Sequence, residues 1–487
     1  MGRANTASGS GSTAVGRSNT ASGSGSTAMG RGNTASGIGG SALGRANTAS
    51  GSSSTAVGYL NRAESLNSSA VGYNNTASAD YSSAFGAYGQ VQGTASEYSI
   101  AIGGGDDSAS GARIGTAAGG GAQAAIAIGR NVEVSDGANN AIAMGTDTTA
   151  TLTGATALGF SADATGVNAI ALGVNALASN TSATALGDAA NASGASSVAL
   201  GHSTTATMTQ STALGFSADA TGTNATALGV NAQASATSAT ALGDGANASG
   251  ADAIALGTGA VASQADAMAL GRGASSTGIG AIAIGQGAVA TGSVAVGIGA
   301  TAGNGGAAFG DGATANTGTN TAAVGTNATA TGNNAVALGT GASATADNSV
   351  ALGRNSVASE ANTISVGSSG NERRITNVAP AVNATDAVNL SQLNNLLGGQ
   401  VTDLSGRLNT LEDEAFSGIA SVAALAMIPM PRQGDKFSLG VGFGNYEGRN
   451  AVALGLNANA SRHLNLKLGL GRSNGQTTFG AGAAISW

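Results

Sequence analysis

The sequence predicts an all-β repeat head built of 14-residue coils, continued by a short coiled coil and a C-terminal transmembrane β-barrel segment of four strands per chain. Three observations predict it. A small–apolar–Ala–apolar–Gly pattern recurs at every fourteenth position through most of the chain. A leucine seam in heptad spacing follows it. Residues 436–487 then alternate large apolar with tiny or polar side chains at period two.

The repeat comes first because internal periodicity decides the architecture. Its closing glycines fall at Gly16, Gly30, Gly44, Gly58, Gly72 and Gly86, in equal steps of fourteen. The same step runs from Gly145 to Gly285, slips by one or two positions around Gly297, Gly310 and Gly325, and resumes at Gly339, Gly353 and Gly367. The block Phe160–Gly166 reappears as Phe216–Gly222, four repeat units further on, which points to block duplication. Such a unit is too short for a helical repeat. In Asn168–Gly173, Ile170 and Leu172 share one face of a strand. A second short strand such as Ala176–Ser179 follows, with Gly and Asn at turn positions that need positive φ. Two short strands and two turns make one coil of a parallel β-solenoid. About 26 coils at ~4.8 Å give a rod of about 120 Å. Such a thin coil has little core of its own, so lateral association is expected.

Composition agrees. Gly is 81 of 487 residues and aromatics are 3%, while a 42% hydrophobic share gives the chain apolar surface to bury and argues against disorder. A net charge of −7 with only 9% charged residues is unlike the basic footprint of a nucleic-acid binder. The absence of cysteine fits export through the periplasm. The chain starts in repeat register at Met1-Gly2-Arg3, with no basic segment and apolar run before it. It therefore reads as a fragment, a passenger piece or a gene with its start set late. No run of about 18 apolar residues marks a helical membrane span.

The beat is irregular over 87–145. Successive closing glycines there, through Gly103, Gly115 and Gly129, are unevenly spaced. Tyr59, Tyr73, Tyr81, Tyr88 and Tyr98 lie in or just before this part. They read either as outward rings on a solenoid face with looped-out insertions, or as a ligand-contact patch, since tyrosine is favoured at recognition surfaces.

Past Gly367 the character changes. All three prolines, Pro380, Pro429 and Pro431, lie there. Leu397, Val401, Leu404, Leu408 and Leu411 alternate in steps of four and three, predicting a short coiled coil that Pro429 and Pro431 stop. Leu439, Val441 and Phe443 then alternate with Gly440, Gly442 and Gly444, and Phe479 and Ala481 with Gly480 and Gly482. Four strands of roughly ten residues match a transmembrane β-barrel, but known barrels start at about eight strands, so several chains must contribute.

These features together resemble the trimeric autotransporter adhesins, the YadA-like family. Units such as Asn334–Gly339 look like the family's head repeats. Asn371–Pro380 and Thr385–Leu393 are similar to its neck, and the C-terminal segment looks like its membrane anchor. The resemblance implies a head over 1–370, a neck over 371–393, a short stalk and pore helix over 394–428, and an outer-membrane anchor over 429–487. It implies a homotrimer of left-handed parallel β-rolls and a 12-stranded barrel holding three helices. The glycines at 440, 442, 444, 480 and 482 would then make room for those helices, and Trp487 would be the terminal signal read by the outer membrane's barrel-assembly machinery. The implied function is attachment to host cells, extracellular matrix or other surfaces, with the head at the cell surface and the anchor in the outer membrane.

No catalytic set, metal set or cofactor site is legible, and the chain is not expected to be an enzyme. His202 and His463 are far apart and flanked by no nucleophile–base pair. Gly103–Asp107 lacks the spaced acids of calcium-binding solenoids. A polysaccharide-degrading solenoid would need clustered carboxylates that the head lacks. A non-adhesive surface-layer or ice-binding solenoid is the alternative, and it would need strict columns of threonine on one face.

Overall fold

The computed structural model describes residues 3–116 and 120–487, so Met1 and Gly2 of the first repeat lie outside the described residues. The chain divides into two units, Met1–Arg373 and Arg374–Trp487.

The first unit is a parallel β-solenoid with two sheets of 25 strands each. One sheet is made of two-residue strands such as Thr48–Ala49. The other has five-residue strands as far as Thr156–Phe160 and mostly three-residue strands from Ile170–Leu172 onward. Each strand pairs with its equivalent one coil on, as in Ala56 with Ala70 and Ala171 with Ala185. Alanine fills the lumen from nearly every long strand and most short ones, Ala171, Ala185, Ala178 and Ala192 being fully buried, while Val91, Ile114, Val134 and Ser276 take that place in four short strands. The larger neighbours face out, Ile170 being 42% and Leu172 36% exposed. The regular coils put little more than a methyl group between the two sheets.

The repeat glycines are required twice over. Gly58 has φ +118, and a Cβ there would lie 2.1 Å from the Gly72 carbonyl oxygen of the next coil. No L side chain satisfies both the dihedral and the contact. The other turns use left-handed residues, for example Asn168 and Asn175 at φ 55 and 53, where asparagine is tolerated best after glycine.

The register corrects one step of the sequence reading. Gly103 pairs directly with Gly129, so the two steps on either side of Gly115 form a single long coil. Gly115 is not a closing glycine; it follows the short strand Arg113–Ile114, and its N–H donates to the Val134 carbonyl at 2.9 Å. Ala112–Gly115 imitates the repeat ending, which is why it counted as a coil, and the described residues form 25 coils where about 26 were expected. The shifted coils near Gly297 keep pairing, with Ala283, Ala295, Ala308 and Ala323 in one column, so turns absorb the length differences.

The first coils carry a buried asparagine ladder that sequence reasoning passed over. Asn47 donates from Nδ2 to Asn33 Oδ1 (3.1 Å), to the Leu43 carbonyl (2.7 Å) and to the Gly58 carbonyl (2.7 Å). Its Oδ1 accepts from the Asn61 backbone N–H and side-chain amide at 3.0 and 3.1 Å. The ladder runs from Asn5 to Asn75, and Asn75 Oδ1 accepts from Gly89 N at 2.7 Å. Beyond it the equivalent column holds Thr148, Thr204 and, more often, alanine such as Ala162 and Ala176.

The second unit opens with a turn that Asp386 closes by accepting from Val382 N and Asn383 N, both at 2.9 Å. Asn389 then caps a helix over Leu390–Ala426, and Gln392 completes a capping box. The Gln392 side chain also clasps Ala381, accepting from its N–H (2.7 Å) and donating to its carbonyl (3.0 Å). Leu397, Val401, Leu404, Leu408 and Leu411 all stay exposed along the helix, a seam without a partner in the single chain. Four antiparallel strands follow in chain order: Phe437–Tyr446, Arg449–Ser461, Leu464–Ser473 and Gln476–Ile485. Two hairpins turn on left-handed pairs, Glu447-Gly448 and Asn474-Gly475, as two-residue hairpin loops require. Among the described residues no helix is long and apolar enough to cross a membrane.

The ladder is testable. Asn47→Ala would strand two buried carbonyls and one amide, at about 1–3 kcal/mol for each group left unpaired. We expect a loss of about 2–4 kcal/mol in those coils, read as faster amide exchange around Asn33–Asn61, whereas Asn175→Ala at an exposed turn should cost about 1 kcal/mol or less.

Candidate functional site

The five tyrosines do not form one patch. Tyr59 and Tyr73 end long strands and Tyr88 follows one, and they stack coil on coil: Tyr59–Tyr73 ring centroids are 5.5 Å apart, and Tyr73–Tyr88 meet edge to face at 5.1 Å. Tyr81 and Tyr98 precede long strands, at the opposite strand end, and stack at 5.0 Å. Tyr81, Tyr88 and Tyr98 hold left-handed φ of 58–60°, unusual for bulky residues, which presents the rings at coil corners. A hydrogen bond with Tyr73 raises the Tyr88 phenol above its ordinary range.

The irregular coils are tied by carboxylates. Asp107 accepts from Ser110 Oγ at 2.8 Å, which holds its carboxyl below the usual range. Asp136 accepts from Thr116 Oγ1 (2.6 Å), Thr116 N (2.9 Å) and Gly121 N (3.1 Å), and the Thr116 hydroxyl holds its carboxyl low. These acids serve local structure. Among the described residues no group of His, Cys, Asp or Glu is placed to hold a metal. Nor does the outer row of the short strands form the alternative's threonine array: Thr6, Thr20, Thr34 and Thr48 share a column that Arg62 interrupts.

The solenoid's most extended feature is an apolar column. Val15, Met29, Leu43, Val57, Val71 and Phe85 stack in register on the outer face of the long strands. The column continues with a large apolar side chain in every coil to Leu352. The signal for it was the second apolar position of the repeat motif, read only as strand pattern.

In the second unit a row of glycines crosses all four strands: Gly440 pairs with Gly455, Gly455 with Gly469, and Gly469 with Gly480. The helix and the segment after it lie on this face. A Cβ at Gly442 would sit 2.1 Å from the Ala424 carbonyl oxygen, and one at Gly444 2.5 Å from that of Ala420. At Gly440 it would meet Pro429 Cδ at 2.8 Å. Gly480 has only an ordinary contact at 3.4 Å, and at Gly482 nothing of the chain lies within 4 Å. Gly455 and Gly469, not singled out from the sequence, are tight against Ile428 and Leu425 at 2.5 and 2.6 Å. The other face presents Leu439, Phe443, Leu454, Leu468 and Phe479, all exposed, and Trp487 is fully exposed at the chain end.

Comparison with known proteins follows the same divisions. The YadA head domain repeat matches ten stretches between residues 7 and 369, together more than half of the chain. The coiled stalk of trimeric autotransporter adhesins matches 374–423, and the YadA-like membrane anchor domain matches 429–487. The chain is 35% identical over 130 residues to the autotransporter adhesin EhaG of Escherichia coli O157:H7, covering 25% of this chain and 8% of that protein. It is 30% identical over 114 residues to the autotransporter adhesin NhhA of Neisseria meningitidis serogroup B, covering 23% and 19%. The alignments thus span less than a fifth of these relatives. A crystal structure of the collagen-binding domain of the Yersinia adhesin YadA is similar at 28% identity over 37% of this chain and 85% of that one, with a TM-score of 0.24.

The Asp136 clasp sets a pH dependence. Its carboxyl is lowered in the fold, so its stabilisation is complete above the ordinary carboxylate value of about 3.9 and is lost as pH falls through the lowered one. Amide exchange at Thr116 and Gly121, corrected for intrinsic rate, should stay flat from about pH 7 to 5 and rise below about pH 4. Asp136→Ala should exchange fast throughout; flat protection down to about pH 2 would contradict the clasp.

Proposed function

The chain belongs to the trimeric autotransporter adhesins, and on that premise we propose that its head attaches the cell to matrix proteins, host cells or other surfaces. The family's members are adhesins, not enzymes. The chain is one subunit of a homotrimer, its anchor in the outer membrane and its head exposed at the cell surface.

One observation carries the proposal. The same chain joins an anchor of four strands to a solenoid whose apolar column is exposed or half-exposed in every coil. Two further copies cover that column, three chains make twelve strands, and three parallel heads face outward. Weak contacts from three heads then add as avidity. Tyr59, Tyr73 and Tyr88, with the separate pair Tyr81 and Tyr98, are the proposed ligand-contact aromatics. Gly440, Gly442, Gly444, Gly480 and Gly482 are the proposed lumenal small residues, and Trp487 is the residue read by the barrel-assembly machinery. The neck over 371–393 would join the head to the stalk.

Two experiments test this. Cells displaying the full chain should bind collagen, other matrix proteins or host cells, and deleting residues 3–367 should abolish attachment while the anchor still assembles; undiminished attachment would sink the adhesive reading. Gly442→Leu should lower the heat-resistant trimer in outer-membrane fractions several-fold, and Gly482→Leu should do so less. Equal, undiminished trimer in both would show that the helix does not need that face small.

A further inference from the structure

Charge is unevenly spread along the solenoid. Residues 1–63 hold five arginines, no lysine and no acid, a charge of +5, so the rest of this −7 chain carries −12. Arg17, Arg31 and Arg45 are paired in one column, and Arg3 sits one coil earlier, its carbonyl accepting from Ser18 N at 2.9 Å. All four are exposed, and none makes a salt bridge among the described residues. The fifth, Arg62, is paired with Glu64. Like charges directly opposite on paired strands are destabilising, so nothing within the chain rewards the column.

The column continues into the aromatic ladder. Arg45 pairs with Tyr59, its guanidinium 4.9 Å from the ring centroid, and Tyr59 pairs with Tyr73. The result is one exposed strip, four cations and then stacked tyrosines, with a rung about every 4.8 Å. It borders the apolar column that other subunits would cover. Three copies in register cannot bury the arginines against one another, because the same stretch of each copy has no acid before Glu64, and an unpaired buried charge is prohibitive. The strip therefore stays open to solvent in the assembly.

We propose that this strip binds a linear polyanionic polysaccharide, its sulfate or carboxylate groups on Arg3, Arg17, Arg31 and Arg45 and its sugars along the outer edges of the Tyr59–Tyr73 stack. Guanidinium forks pair bidentately with such anions; the faces of Tyr59 are taken by Arg45 and Tyr73, so its ring edge and phenol oxygen are what meet the polysaccharide. Duplex DNA fits less well: its phosphates repeat every ~3.4 Å along a strand, out of step with the rungs. The inference rests on the adhesive reading and adds a ligand class to it.

The test uses the full-length trimer in detergent, with heparin as the probe, dextran as an uncharged control and duplex DNA as the competing polyanion. Heparin should bind with an affinity that falls steeply with salt, and dextran should not bind. Arg17→Gln, Arg31→Gln and Arg45→Gln combined should weaken heparin binding about thirtyfold or more and flatten the salt dependence. The three Lys substitutions should retain most of it. Tyr59→Ala with Tyr73→Ala should weaken binding and leave the salt slope unchanged. Each variant is compared at equal amounts of heat-resistant trimer. Unchanged heparin affinity in the Gln variant, or DNA bound as tightly as heparin, overturns the proposal. Absence of heparin binding while displayed heads still attach to matrix proteins also overturns it, and leaves adhesion standing.

Discussion

The narrow space inside each coil governs everything else in the solenoid. In the regular coils alanine goes in between the two sheets and the larger apolar side chains go out. An ordinary soluble strand hides its leucines; here Leu172 and its equivalents must sit on the surface. The fold thereby moves the hydrophobic driving force from within a chain to between chains. The exceptions fall where the coils are irregular: Val91, Ile114, Val132 and Val134 are the largest apolar side chains in the lumen.

Smallness works the same way at the other end. The sheet of the second unit keeps large residues on one face and glycines on the other, because helix backbone lies against Gly442 and Gly444 and the Leu425 and Ile428 side chains lie against Gly469 and Gly455. In both units a side chain is limited by how near another backbone comes. Polar groups are satisfied locally wherever the space is closed, as in the asparagine ladder and in the Gln392 clasp before the helix.

Much of this was legible in the sequence, for physical reasons. A beat as short as this one leaves room for little but two short strands, and period two with glycine partners marks the anchor strands. The short step to Gly115 misled because the Ala112–Gly115 string copies a coil ending while lacking its place in the ladder, and only hydrogen-bond register separates the two. The tyrosines were visible as a group, but their division between opposite ends of the long strand depends on which turn each occupies. The asparagine ladder was hidden because Asn at a turn looks the same whether it faces water or the lumen. Gly455 and Gly469 were overlooked since their role appears only when the four strands are aligned across the sheet.

The in-register pairing of near-identical coils has an evolutionary consequence. Neighbouring regular coils present nearly the same upper and lower surface, so a gene rearrangement that inserts or removes whole coils among them leaves both junctions intact. The doubled block Phe160–Gly166 and Phe216–Gly222 is the trace of one such event. Head length can thus change in steps of one coil without a folding defect, and without any change to the packing inside the anchor.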